Sequence, residues 1–159
     1  MIEAIRTAVA ADLPRLDQLL GELVDSIGAQ RGGSLLLESD VASPGGHHQL
    51  GDLLSDVSAL VLVGTLDEVV TGLAVCHISS QGAARPRGVL DACYVESGAR
   101  GVGLGRLLLD ATVSWMEERG CQGADGIALP GDRGAKNFYE SAGFKARMLT
   151  MYREIDPAP

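Results

Sequence analysis

One stretch constrains this chain more than any other: Val95-Glu-Ser-Gly-Ala-Arg100-Gly-Val-Gly-Leu-Gly105-Arg-Leu-Leu. A strand-like run ends, alternate glycines follow, and apolar residues then recur at helical spacing. Glycines at 101, 103 and 105 permit a tight turn and let a ligand approach the backbone without Cβ clashes. A helix opening there leaves its first N–H groups without internal acceptors, and its dipole favours an anion. Such a nest of donors suits a diphosphate. The expected fold must therefore carry a strand straight into a helix at an anion site.

The composition supports one folded unit. With 159 residues, 46% apolar and 21% charged, the chain has enough apolar surface for one sizeable core and is not a disordered polymer. Residues 1–155 are expected to form a single domain, with 156–159 a frayed tail. The net charge of -8 argues against nucleic acid as a partner, since phosphate binding needs clustered Lys and Arg. It favours a cationic or neutral substrate, and an anionic cofactor then needs local help from backbone N–H groups. Cys76, Cys93 and Cys121 are odd in number and far apart, with no C-x-x-C pair, and read as buried free thiols of a reduced cytoplasm. No signal peptide is indicated and no apolar run approaches membrane length, so neither secretion nor a membrane partner is expected.

The hydrophobic periods give the element order. Ile2–Ala8 reads as a strand, and Asp12 caps a helix with Pro14 in its first turn. Leu13, Leu16, Leu20, Leu23, Val24 and Ile27 recur at helical spacing until Gly28 stops them. Gln30–Asp56 reads as helix–loop–helix, with short helices near Leu35–Leu37 and Leu50–Leu54 and a loop at Ser43–Gly46. Ala59–Gly64 and Val69–Ser80 are strands joined by a turn at Thr65–Glu68. Gln81–Gly88 is another turn, and Val89–Val95 a further antiparallel strand. Val102, Leu104, Leu107, Leu108, Ala111 and Trp115 then follow the 3.6-residue period to Gly120. A short strand at Gly126–Leu129, a helix from Asp132 through Ser141 and a last strand over Phe144–Arg153 complete a mixed α/β domain.

Other phosphate motifs do not fit the glycine turn. A dinucleotide fold needs G-x-G-x-x-G and a later acid at a strand end, and a P-loop needs Lys followed by Ser or Thr. This chain has G-x-G-x-G, and no Lys-Ser or Lys-Thr. Arg100-Gly101-Val102-Gly103-Leu104-Gly105 resembles the acetyl-coenzyme A signature of the GCN5-related N-acetyltransferases (GNATs). Ala135-Lys-Asn-Phe-Tyr139-Glu-Ser-Ala-Gly143-Phe144 resembles that family's second signature. The pair, in order, covers Val89 to Arg153; residues 1–28 and 59–80 agree in pattern only.

The resemblance implies the GNAT fold: a twisted, mostly antiparallel sheet, flanked by helices and splayed between its fourth and fifth strands. It implies that pantetheine enters the gap as an added strand, against backbone of Cys93, Tyr94 and Val95. A bulge commonly helps open such a sheet. The pyrophosphate would lie over Arg100, Gly101, Val102, Gly103, Leu104, Gly105 and Arg106, with the two arginines adding charge-assisted bonds. Lys136 or Arg133 would reach a phosphate, or else stand as solvated surface residues. Asp132 occupies a place where an asparagine commonly touches the cofactor arm, and an acid there suits an N-cap as well. Ala92 replaces an acid often found beside Asp91, and Gly134 stands where many members have a basic residue.

The implied reaction is direct acetyl transfer from the thioester to a primary amine in a ternary complex, without metal. Tyr139 matches the frequent general acid, because a phenol with a pKa of about 10 is protonated at neutral pH. Its alternative is packing between helix and sheet. Asp91 matches a substrate-facing acid, against the alternative of a solvent-facing strand residue. Period-2 alternation puts Asp91, Cys93 and Val95 on one face of their strand and Leu90, Ala92 and Tyr94 on the other. His77 could act as a base near the same end of the sheet, although a lone strand histidine is more often structural. His47 and His48 lie in the variable loop, without the spacing for a metal site. Glu38, Asp40 and Asp52 either attract an amine or are simply solvated. The acceptor stays open among small amines, amino acids, antibiotics and protein amines, with a small molecule favoured. A non-catalytic acyl-CoA sensor of the same fold is the alternative. Homodimers are frequent in the family, and no residue here specifies one.

Overall fold

A computed structural model describes residues 1–38, 49–80 and 84–158. Apolar, β-branched runs at Ala59–Leu66 (β2) and Val69–Ser79 (β3) pair antiparallel across a two-residue turn, Asp67-Glu68, in which both φ angles are positive. That left-handed geometry matches the twist of a tight hairpin. Glu3–Thr7 (β1) pairs antiparallel with β2, and Arg87–Val95 (β4) pairs antiparallel with β3. Ala124–Asp125 (β5) joins β4 in parallel, giving one five-stranded mixed sheet in the order β1-β2-β3-β4-β5.

Helices cover both faces. Leu13–Gly28 (α1) lies on one face, where Leu16 and Leu19 pack with Val61, Val63, Leu73, Val75 and Ala92. Gly33–Glu38 (α2) and Leu50–Leu53 (α3) follow α1. Leu104–Glu118 (α4) covers the other face, where Leu104 and Leu108 meet Leu62 and Ala74. Further along α4, Leu109 and Met116 meet Cys76 and Leu90. Arg133–Ser141 (α5) sends Phe138 and Tyr139 into that same cluster. This layering is the mixed α/β architecture expected from the sequence.

Four local expectations need correction. Asp12 sits at the N-cap position of α1, but its side chain caps nothing there. The carboxylate instead accepts from both Arg6 guanidinium nitrogens, at 2.7 and 2.8 Å, and from Val9 N–H at 2.8 Å. The Gln81–Gly88 turn is shorter than expected, since Arg87 and Gly88 already belong to β4; residues 81–83 lie outside the described residues. The strand expected at Gly126–Leu129 is replaced by β5, two residues earlier. Pairing with β4 stops at Val89–Asp125, so the chain beyond has no ladder to join. Phe144–Arg153 forms no strand. Alternation there favours extended backbone, but a strand needs a neighbouring edge, and two-residue β5 offers almost none. The loop at Ser43–Gly46, with Asp40, His47 and His48, lies outside the described residues.

Candidate active site

β4 organises the site. Its pairing with β3 runs Val75 with Ala92 and then Cys76 with Leu90, so Asp91 is the extra residue of a β-bulge. The bulge overturns the expected alternation. Leu90, Cys93 and Val95 face α4, whereas Ala92 and Tyr94 face α1. Asp91 lies with Ala92 on the α1 face, where it meets His77 of β3: Nδ1–H of the ring donates to Oδ2 at 2.7 Å. A single inserted residue flips every side chain on one side of it relative to a regular strand.

On its other edge, β4 is paired to β5 only at Gly88 and Val89. From Leu90 to Val95 that edge faces a cavity of about 630 Å³. The cavity is bounded on the far side by Ile127, Ala128 and Leu129 and at one end by the α4 N-terminus. Leu23 and Ile27 of α1 and Leu36 of α2 close the α1 side. This is the splayed sheet expected between strands four and five.

The glycine turn forms the phosphate-sized corner. Gly101 and Gly103 have φ of +87° and +93°, a left-handed backbone that a side chain would strain. The first intrahelical bond of α4 runs from Leu107 N–H to the Gly103 carbonyl at 3.1 Å. The N–H groups of Leu104, Gly105 and Arg106 precede it and are the helix's free donors. Arg100 is drawn back over β4, its Nε donating to the Val95 carbonyl at 2.8 Å and its guanidinium 5.3 Å from the Tyr94 ring centroid. Arg106 donates to Asp110 at 2.8 Å and to the Ser141 carbonyl at 3.1 Å.

Tyr139 enters from α5. A Cβ on Gly126 would come within 2.6 Å of its ring, so the glycine creates the space in which the ring lies. Phe138 and Phe144 pack against the ring edges, with centroids 5.6 and 5.2 Å away. Burial, chiefly, pushes the phenol's pKa well up, and its hydroxyl has no hydrogen-bond partner among the described residues. Burial likewise pushes the Cys93 thiol up to about 12, so Cys93 is a neutral thiol, with Sγ 3.9 Å from the Gly105 carbonyl.

Of the residues singled out from the sequence, Asp91, Cys93, Tyr94, Val95, Arg100, Gly101, Gly103, Leu104, Gly105, Arg106, Asp132 and Tyr139 line this one cavity. Val102 does not, and packs instead beside Leu104 and Leu108. Lys136 does not either; its Nζ lies 3.8 Å from Glu140 on the exposed side of α5. Asp132 caps α5 by accepting from Ala135 N–H at 2.9 Å, and its second oxygen accepts from Gln30 Nε2 at 3.1 Å. Gln30 was missed by sequence reasoning. Its only signal is position, just past the glycine that ends α1.

The sequence model of the acetyltransferase (GNAT) family matches residues 35–144, more than half of the chain. No curated protein matches it in sequence. Among solved structures, a mutant BH1408 protein from Bacillus halodurans superposes with a TM-score of 0.79 at 22% identity, covering 98% of this chain and 99% of that one. AAC(6')-Iy, in complex with the bisubstrate analogue CoA-S-monomethyl-acetylneamine, gives 0.72 at 18% identity, covering 98% and 100%. The aminoglycoside acetyltransferase meta-AAC0020, from an uncultured soil metagenomic sample, gives 0.69 at 20% identity, covering 97% of each chain. Among the described residues, no helix is long and apolar enough to cross a membrane, and no cluster of three metal-ligating side chains occurs. The glycine turn, the opened sheet and the match over residues 35–144 agree: this chain belongs to the GNAT family of acetyltransferases.

Proposed function

We propose that the chain is an acetyl-CoA-dependent N-acetyltransferase acting on a primary amine of a small molecule. The observation that carries this reading is the seam between β4 and β5, where free helix N–H groups, an unpaired strand edge and Tyr139 line one cavity. The chain's own residues fit coenzyme A. The N–H groups of Leu104, Gly105 and Arg106 can take a diphosphate, and the open edge of Cys93–Val95 can pair with an amide-bearing arm. When bound, the thioester supplies an activated acetyl carbon.

Tyr139 donates a proton to the departing sulfur. Its raised pKa keeps the phenol protonated throughout the working range, and with no hydrogen-bond partner among the described residues its proton is free to give. Asp91 receives the ammonium form of the amine and accepts its proton. Cys93 is not an acyl carrier in this reading: a thiol with its pKa near 12 is a poor nucleophile at neutral pH, which favours direct attack in a ternary complex. Tyr139 approaches from the α4 face and Asp91 from the α1 face. They share a cavity because the sheet is open between them. Leu23, Ile27 and Leu36 border the acceptor side, and the fold likeness to the aminoglycoside acetyltransferase meta-AAC0020 and to AAC(6')-Iy in complex with an acetylneamine bisubstrate analogue supports a small-molecule amine.

The test is a panel of small primary amines with acetyl-CoA, following free thiol release, alongside calorimetric binding of CoA. Turnover of at least one amine is expected. Tight CoA binding with no thiol release across the panel would replace the enzyme with an acyl-CoA sensor of the same fold, and absence of CoA binding would end both readings.

A further inference from the structure

The bulge raises a question the acetyl transfer itself does not answer: what holds an acidic side chain in place where the strand is irregular? Asp91 has no regular ladder position, since Val75 pairs with Ala92 and Cys76 with Leu90 on either side of it. Among the described residues its carboxylate is fixed by one side-chain bond, from His77. His77 belongs to the neighbouring strand and is opposite Val89 in register, just beyond the bulge. The aspartate side chain is 15% exposed and lines the cavity; the histidine side chain is 38% exposed and does not. One oxygen of Asp91 is thus tied down from outside the site, and the other remains for whatever enters it.

We propose that His77 is the positioning residue of the acceptor side: its ring holds Asp91 so that the free carboxylate oxygen meets the incoming ammonium. This rests on the acetyltransferase reading given above. An ionised carboxylate only accepts, so Nδ1 carries the hydrogen in this pair. The same ring also sets the net charge beside that oxygen. Protonated, it neutralises the charge that would attract and deprotonate an ammonium. Neutral, it still donates through Nδ1–H and leaves the carboxylate its full charge.

The surroundings fit this role. The charged groups acting on His77 among the described residues are Asp91 of β4 and, more weakly, Asp56 before β2. Its register partners Ala59 and Val89 carry no charge. Arg87, further along the same face of β4, is paired with Asp125 at 3.4 Å. The Asp91 hydrogen bond raises the histidine's pKa above its ordinary value, against desolvation. The switch between the two states therefore falls above the ordinary histidine range.

The experiment uses the full chain and an amine that the wild-type protein acetylates. His77→Ala removes the donor. His77→Asn keeps one, because the asparagine amide nitrogen can occupy the place of Nδ1, but does not titrate. We expect His77→Ala to lose at least tenfold in kcat/KM for the amine, with CoA affinity within twofold of wild type. His77→Asn should recover most of that loss. The rise of kcat/KM with pH should lose its histidine limb in His77→Asn while keeping the limb of the amine itself. Wild-type activity in His77→Ala, equal losses in both variants, or a fall in CoA affinity as large as the fall in kcat/KM would each overturn the assignment. No turnover by the wild-type protein would overturn the acetyltransferase reading and this inference with it.

Discussion

The two faces of the sheet differ in kind. Toward α4, the inward side chains of β2, β3 and β4 are Leu62, Ala74, Cys76, Leu90 and Cys93, an apolar surface on which Leu104, Leu108 and Leu109 lie fully buried. Toward α1, the core begins the same way with Val61, Val63, Leu73 and Val75, but its margin is ionisable. His77 pairs with Asp91, the Tyr94 hydroxyl donates to Glu22 at 3.0 Å, and Arg15 pairs with Glu96 at 2.5 Å. Burying charge is costly unless it is paired, so such groups gather at a rim rather than in the centre. On the proposed function, the difference separates two tasks. The α4 face offers backbone donors and a dry wall, which suit a large donor molecule; the α1 margin offers charge, which suits a cationic acceptor.

Tyr139→Phe breaks that division most severely. It removes the proposed proton donor on the α4 side and is expected to lower kcat by roughly 10²–10⁴-fold. CoA affinity should stay unchanged by calorimetry, because the ring packing is preserved; unchanged turnover would reassign Tyr139 to packing alone. Gly103→Ala tests the donor corner. The new methyl meets nothing within 4 Å, so its cost is the left-handed backbone, about 1–2 kcal/mol, and CoA affinity should fall roughly in proportion.

Asp12→Asn sharpens the contrast from far outside the site. The Arg6 guanidinium holds the Asp12 carboxyl down at about 2, below its unfolded value of about 3.9. A depressed folded pKa contributes stability above the unfolded value and loses it as pH falls through the folded one. Wild-type stability should thus drop between about pH 4 and pH 2 by about 1–2 kcal/mol, discounted because Arg6 is half exposed. In urea titrations the variant should lack that portion of the acid dependence. Smallest is Glu22→Gln, on the acceptor margin. Glu22 raises the Tyr94 phenol, after burial, and accepts its hydrogen bond in an exposed setting. The substitution should cost well under about 1 kcal/mol in stability, with acetylation of a cationic amine changing only through KM.

Much of this arrangement was readable from the chain. The glycine turn, the helical period from Leu104 and the F-Y-E-x-x-G-F run over Phe138–Phe144 are local signals, and each specifies a local structure. What escaped was set by register. Asp91 alternates with Cys93 in sequence but not in space, because whether β4 carries an extra residue depends on how β3 pairs with it. The same ignorance of partners turned Phe144–Arg153 into an expected strand. Its alternation is genuine, yet Met148, Leu149 and Met151 stand 73–88% exposed with no sheet edge beside them. Gln30 escaped for a related reason: its contact with Asp132 spans the cleft, and nothing near it in sequence announces that.

Because Val75–Ala92 and Cys76–Leu90 flank Asp91 without using it, the aspartate is surplus to the sheet. Excising that one residue would heal the ladder, with Leu90 and Ala92 keeping their present neighbours. A chain shortened in this way would keep the glycine turn that opens α4 and give up Asp91 altogether. On the proposed reading, a catalyst and a non-catalytic binder of the same donor would stand a single codon apart.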